Sequence, residues 1–292
     1  MNYLALLVTT LLFATQTVCF KMFNRTYMKN LASYFIFNFL YFGIVVLIFL
    51  IIGGIPRFIE TYTLALGISF GVLFVLVIFS YMKAMETGPL SYSSLFFSFG
   101  LLVPIVFGTF LWNEKISMIQ VFGLALLLVT FYLCAGASDG NTKSGLNLRW
   151  AIFCLIAFIG NGGLMTLAKE HQILLPGKQV LEFLIVSFGT AALLSLILFL
   201  CSYFKKQSIS HLWQTPFVFI VLGAGLTTAF GNQLALYLNS RIPSILQFPT
   251  VNGGVVILST VASSIIFGEI LTKKGKLGLG LGIVALVLLC IK

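Results

Sequence analysis

Two side-chain amides and a proline mark the place in this sequence where chemistry could be done away from bulk water. In the run Gln247-Phe248-Pro249-Thr250-Val251-Asn252-Gly253-Gly254, Pro249 lacks a backbone donor and interrupts a helical ladder. Gly253 and Gly254 let a second backbone or a ligand come close. Gln247 and Asn252 flank the interruption, so freed carbonyls and two amides are placed to hydrogen-bond a small solute. A kinked helix packed through small residues accounts for the same run, and both readings stand on sequence alone. Ser91, Ser94 and Ser98 share one helical face in an earlier segment. They offer hydroxyls to the same purpose, or bond back to their own helix. Gln16, Asn161, Asn232 and Gln233 complete the set, with bridging between helices as the other use of isolated amides.

This is a set that binds rather than one that catalyses. The two histidines, His171 and His211, have no Cys, Asp or Glu at metal-ligand spacing. No Walker A run is present to cradle a nucleotide. No charged residue falls clearly at the middle of an apolar segment, where it would be expensive. The expectation is therefore no enzyme, no metal and no cofactor, and a neutral or zwitterionic cargo held by amides, hydroxyls and helix ends. Glu114 and Glu269 each fall between one apolar run and the next. They are read as carboxylates at the start of the following helix, where free amides and the dipole favour them; proton coupling is the alternative. Lys83 and Glu86, three residues apart, read as an interfacial ion pair.

The elements that position these residues follow from composition. Hydrophobic residues make up 60% of the chain and charged ones 8%, against the roughly 25% charge of a soluble domain, so the class is polytopic membrane protein. The net charge of +10 lies in short inter-helix loops without a basic face, which points to anionic headgroups and away from nucleic acid. The five cysteines are scattered through apolar runs and read as small buried hydrophobes. The first segment has no charged leader region or small-residue cleavage pattern and reads as a retained helix.

Ten apolar runs can be counted between Tyr3–Phe20 and Leu277–Ile291, each of about 20 residues and long enough to cross the hydrocarbon as a helix. The fourth is Ser91–Trp112, the sixth Arg149–Ala168 and the ninth Pro243–Phe267. The chain repeats itself. Glu114 matches Glu269, Ser117 matches Thr272 and Gly123 matches Gly278, all at an offset of 155, and such duplication governs the whole fold assignment. A polar joint near Ser138–Gly145 falls where the duplication requires a boundary. The expected organisation is a first five-helix repeat over 1–137, a linker over 138–148 and a second repeat over 149–292. An odd number of spans per repeat inverts the second copy, the plan of many secondary transporters with a substrate site between the halves. The Lys and Arg bias between loops places both termini outside.

Ten spans in two halves, and an apolar helix ending in Leu111-Trp112-Asn113-Glu114-Lys115-Ile116-Ser117 or Phe267-Gly268-Glu269-Ile270-Leu271-Thr272, resemble the drug/metabolite transporter superfamily of EamA type. Pro104, ten residues before Glu114, matches the proline typical of that helix; Ser259 stands at the equivalent place in the second half. The resemblance implies a secondary transporter in the plasma (inner) membrane, alternating access around a central cavity. The resemblance does not transfer a substrate; the expectation beside it is a small-molecule substrate such as an amino acid, export rather than uptake, a coupling proton or other ion, lipid contact, and a working monomer in which two fused halves supply the pseudo-dimer. A translocase for a lipid or lipid-linked sugar is the alternative, suited to a Phe-rich interior.

Overall fold

The computed structural model describes residues 2–87, 90–135, 148–203, 209–212, 214–268 and 273–291. The expected linker over 138–148 lies outside them apart from Leu148, as do Glu269 and Thr272. Among the described residues every regular element is helical. The order is α1 (Asn2–Thr26), α2 (Leu31–Gly53), α3 (Thr61–Thr87), α4 (Leu90–Phe99), α5 (Leu102–Phe110), α6 (Met118–Ala135), α7 (Leu148–Leu174), α8 (Val180–Tyr203), α9 (Thr215–Asn239), α10 (Ser244–Phe267) and α11 (Lys273–Cys290). Seven of them, α1, α2, α3, α7, α8, α9 and α10, are long and apolar enough to cross a membrane. The chain is an all-helical, multi-pass membrane protein.

Three helices depart from the sequence expectation. The run Ser91–Trp112 is two helices, because Pro104 has no N–H for the carbonyl of Gly100, which accepts from Val103 N–H instead at 3.1 Å. Gly100 and Leu101 likewise bond three residues back, to Phe97 at 3.1 Å and Ser98 at 3.4 Å, and this tight turn separates α4 from α5. At Pro249 the reverse holds. α10 continues unbroken through it, since one missing ladder bond is tolerated where the flanking turns are packed. Finally, α7 runs on to Leu174 rather than stopping at Ala168, which brings Lys169, His171 and Gln172 inside a helix, all buried.

Among the described residues, the two largest of four apolar clusters form the main cores of the bundle. The larger is aromatic and joins α1, α2, α3, α8 and α9, with Phe42 against Phe74 at 5.4 Å and Phe188 at 5.7 Å between ring centres. α3 meets α8 closely because Gly71 rests on the backbone of Ser187, leaving no room for a Cβ. The smaller core is aliphatic and joins α5, α6, α10 and α11 through Ile105, Leu127, Ile245 and Leu289.

The helix pairings have a simple order. α2 lies along α8 and α6 along α11; α3 lies on α7 and α8, and α9 on α1 and α2; α1 meets α10, and α7 meets α4 and α5. Match α1, α2, α3, α4–α5 and α6 in order with α7, α8, α9, α10 and α11. Exchanging the two sets then turns each of these pairings into another of them. Three contacts break the exchange: α7 with α9, α6 with α10 and α8 with α9 are made, whereas the corresponding approaches of α1 to α3, α11 to α4–α5 and α2 to α3 are marginal at most.

Candidate functional site

The polar residues singled out in the sequence fall into three places. On α7, Asn161 is buried and its Nδ2 donates to the Phe97 carbonyl at 2.9 Å, beside the α4–α5 break. Its neighbour Gly162 has no Cβ, and that absence lets α7 press into the break against Gly100 O and Val103. Ser98 lies half-buried in the last turn of α4; the side chain of Ser94 is outside the described residues.

Gln16, Asn232 and Thr228 meet between α1 and α9. Gln16 Nε2 donates to Thr228 Oγ1 at 2.5 Å, and Asn232 Nδ2 donates to Thr228 O at 2.8 Å. Gln247, 1% exposed, ties α10 to α9 by donating to Ala235 O at 2.9 Å and Asn239 Oδ1 at 2.7 Å. Asn252, half-buried, donates to the carbonyl of Phe248 on its own helix at 2.8 Å. Three buried atoms on the first turns of α10, Ser244 Oγ, Gln247 Oε1 and Thr250 Oγ1, have no hydrogen-bond partner. Gln233 stands apart from the others. It faces a shallow, outward-opening groove of about 620 Å³ between α1 and α9, with Val8, Leu12, Phe230, Leu234 and Tyr237.

A charged cluster that the sequence reading did not assemble lies where α5, α7 and α9 finish and α10 begins, here called the lower end. After α5 the chain turns through Asn113 at φ 52, a left-handed conformation that Asn tolerates. Glu114 N–H then returns to the Gly108 carbonyl at 2.9 Å. This turn aims the carboxylate at α10. Oε2 accepts from Ser244 N–H at 2.7 Å, and Oε1 accepts from Lys169 Nζ at 2.5 Å. Lys169 also donates to the Ile242 carbonyl at 3.1 Å and lies over the Trp112 ring, 5.3 Å from its centre. Trp112 Nε1 in turn donates to Glu170 at 2.8 Å. Glu114 thus does serve a helix N-terminus, as its position suggested, but that of α10 and not of α6, the next helix in the chain. The signal missed was Lys169, which the sequence reading placed in a loop. The Lys83–Glu86 pair is present as expected, at 2.6 Å.

Burial is uneven along the interior. From Ser244 to Gly254, α10 is buried everywhere except at Thr250 and Asn252; from Val255 to Phe267 no described side chain is buried. On α1, Leu6 and Thr10 are buried and Thr17, two turns beyond Thr10, is exposed, while Phe23 near its far end is buried in the aromatic core. α10 is thus closely packed at the lower end and loosely packed toward the other.

No protein-family model and no curated protein matches this sequence. The fold is shared with known structures. A solved structure described only as "Crystal structure of protein" superposes with a TM-score of 0.78 over 99% of this chain and 96% of its own, at 17% identity. At that identity the likeness concerns the path of the backbone. It speaks for one continuous fold spanning the whole chain, and it says nothing of cargo.

Proposed function

We propose that this protein is a ten-span secondary transporter of the drug/metabolite type, built from two inverted five-helix repeats. In this reading it moves a small neutral or zwitterionic metabolite, such as an amino acid, across the plasma membrane by alternating access, in the direction of export. The observation that carries the reading is the pairing order of the helices, whose main contacts are preserved when α1–α6 and α7–α11 are exchanged. Such exchange is what two inverted copies of one unit produce. The ten spans are the seven long helices together with α4–α5 as one interrupted span, α6 and α11. The uneven burial along α10 supports the same reading, since a carrier at rest is closed on one side only. Cargo would be held by Gln247, Asn252, Asn161, Ser98 and the Gln16–Thr228–Asn232 group, with Ser94 and Gln233 nearer the margins. The unpartnered Gln247 Oε1 supports this assignment, because a buried acceptor left without a partner costs free energy. A coupling proton or other ion, and a working monomer in contact with lipid, belong to the same proposal.

The test is a thermal-shift screen of the detergent-purified protein against a metabolite panel, since a ligand that binds only the folded state raises its stability. A saturable shift from one metabolite, lost in Asn252→Leu, is the expected result. Shifts from every metabolite tested that survive in Asn252→Leu would remove that residue from the site. The apolar groove between α1 and α9 favours a second reading, a translocase for lipid or lipid-linked sugar that admits an acyl chain sideways. Stabilisation by lipids alone would decide for it.

A further inference from the structure

Building on the transport reading, we infer that the Glu114–Lys169 pair is the lock that holds the lower end shut, and that Lys21 is the matching element of the opposite end.

The lower lock reaches across the bundle. Lys169 belongs to α7 and Glu114 to the segment following α5, while their partners, Ile242 O and Ser244 N–H, belong to the α9–α10 turn. With the pair intact, the α5–α7 side and the α9–α10 side are joined by two hydrogen bonds, one made by each partner of the pair, around a lysine that is almost wholly buried. Opening this end must break both bonds to the α9–α10 turn and uncover the Lys169–Glu114 charges, which water then has to solvate. A side chain costly in a membrane protein is thereby made conditional on the state of the carrier.

The opposite end carries a related arrangement in described residues. Lys21 precedes Lys169 by 148 positions, in α1, the counterpart of α7. Phe267 follows Trp112 by 155 positions, the offset of the duplication. Lys21 Nζ lies 5.1 Å from the centre of the Phe267 ring, as Lys169 Nζ lies 5.3 Å from that of Trp112. Arg25, one turn further along α1, stands over the same ring at 4.9 Å. One lysine–aromatic unit therefore stands at each end. The lower one reaches the α9–α10 turn, and the upper one includes the ring of Phe267 at the end of α10.

The experiment reads conformation and needs no cargo. All five cysteines are replaced by serine, and a single reporter cysteine is placed at Ser244 (lower end) or at the exposed Thr17 in the upper half of α1. The rate of labelling by a water-soluble maleimide is measured in proteoliposomes. Lys169→Met raises labelling at position 244 at least tenfold and lowers it at position 17, while Lys83→Met, which breaks an exposed pair, changes neither. Adding Lys21→Met to Lys169→Met moves both rates back toward those of the parent. Should Lys169→Met fail to yield monodisperse protein, Glu114→Gln, which keeps the acceptor for Ser244 N–H, takes its place. Unchanged labelling at position 244 in a folded lock variant overturns the lock. A rise there without a fall at position 17, or no return on adding Lys21→Met, overturns the coupling to Lys21. Reciprocal labelling in a protein that carries no solute would instead retain the lock and sink the transport reading.

Discussion

Asn161 donates its side-chain amide to the backbone carbonyl of Phe97 at 2.9 Å, so α7 supplies the hydrogen bond next to the place where Pro104 breaks its neighbour in two. The sequence offers Asn161 as a ligand contact. In the fold it also holds the α4–α5 corner, and a cargo that bonded to it would act on the hinge between two helices. Asn161→Leu leaves the carbonyl without that donor and costs about 1–3 kcal/mol. Thermal unfolding in detergent is expected to shift downward accordingly; a melting temperature equal to that of the parent would mean that the corner does not depend on this bond.

The same corner sets a demand on glycine. A Cβ at Gly162 would lie 2.5 Å from the Gly100 carbonyl and against the Val103 side chain, whereas one at Gly189 would meet nothing within 4 Å. Gly162→Ala is therefore destabilising. Gly189→Ala is neutral or stabilising by up to about 1 kcal/mol, because alanine is the better helix former. Matched melting curves of the two variants check the contrast, and equal curves would contradict the close approach of α7 to the break.

Gly108 makes a test of the charged cluster that leaves its charges in place. A Cβ there would stand 2.5 Å from Glu114 Oε2 and 3.1 Å from Ser244 Oγ. Gly108→Ala is expected to push the carboxylate off the start of α10 and to raise maleimide labelling at a Ser244→Cys reporter, in the same direction as Lys169→Met. No change in labelling would show that the carboxylate has room to move without releasing α10.

Two ion pairs of similar length should differ widely in their worth. Lys83–Glu86 has side chains 24% and 44% exposed, whereas Lys169–Glu114 has side chains 3% and 14% exposed. Lys83→Met should change stability by less than about 1 kcal/mol. Lys169→Met, which strands a buried carboxylate, should cost on the order of 3 kcal/mol. Chemical denaturation of both variants in one detergent gives the comparison, and similar midpoints would place the lower cluster in contact with water.

Gln16 separates packing from recognition. Thr228 Oγ1, which accepts from Gln16, also donates to Ala224 O at 2.6 Å. Thr228 therefore keeps a hydrogen bond when the glutamine is lost. Gln16→Met should leave the melting temperature within about 2 °C of the parent, as befits a change of a few tenths of a kcal/mol. If Gln16 touches cargo, the same variant loses ligand-induced stabilisation. Retained stabilisation would assign Gln16 to the α1–α9 contact alone.

Local physics in the sequence decides the class, most of the helices and the repeated ending. Long apolar runs have no solution in a membrane other than helices, and the 155-residue offset that joins Glu114 to Glu269 is visible without coordinates. The ends of helices were less legible. Arg149–Ala168 is apolar enough to span alone, so nothing local required α7 to continue through Lys169 and His171; burial against Trp112, Glu114 and Thr63 does that. Pro104 and Pro249 read alike in one dimension, yet the chain breaks only at the first, where Gly162 of α7 fits into the gap. Which helix Glu114 serves was likewise undecidable from its neighbours, because the start of α10 lies 130 residues away. Hydrophobicity is a property of segments and is written in order along the chain. The partner of a charge is a property of the assembled bundle, and only tertiary structure brings Lys169, Glu114 and Ser244 to one point.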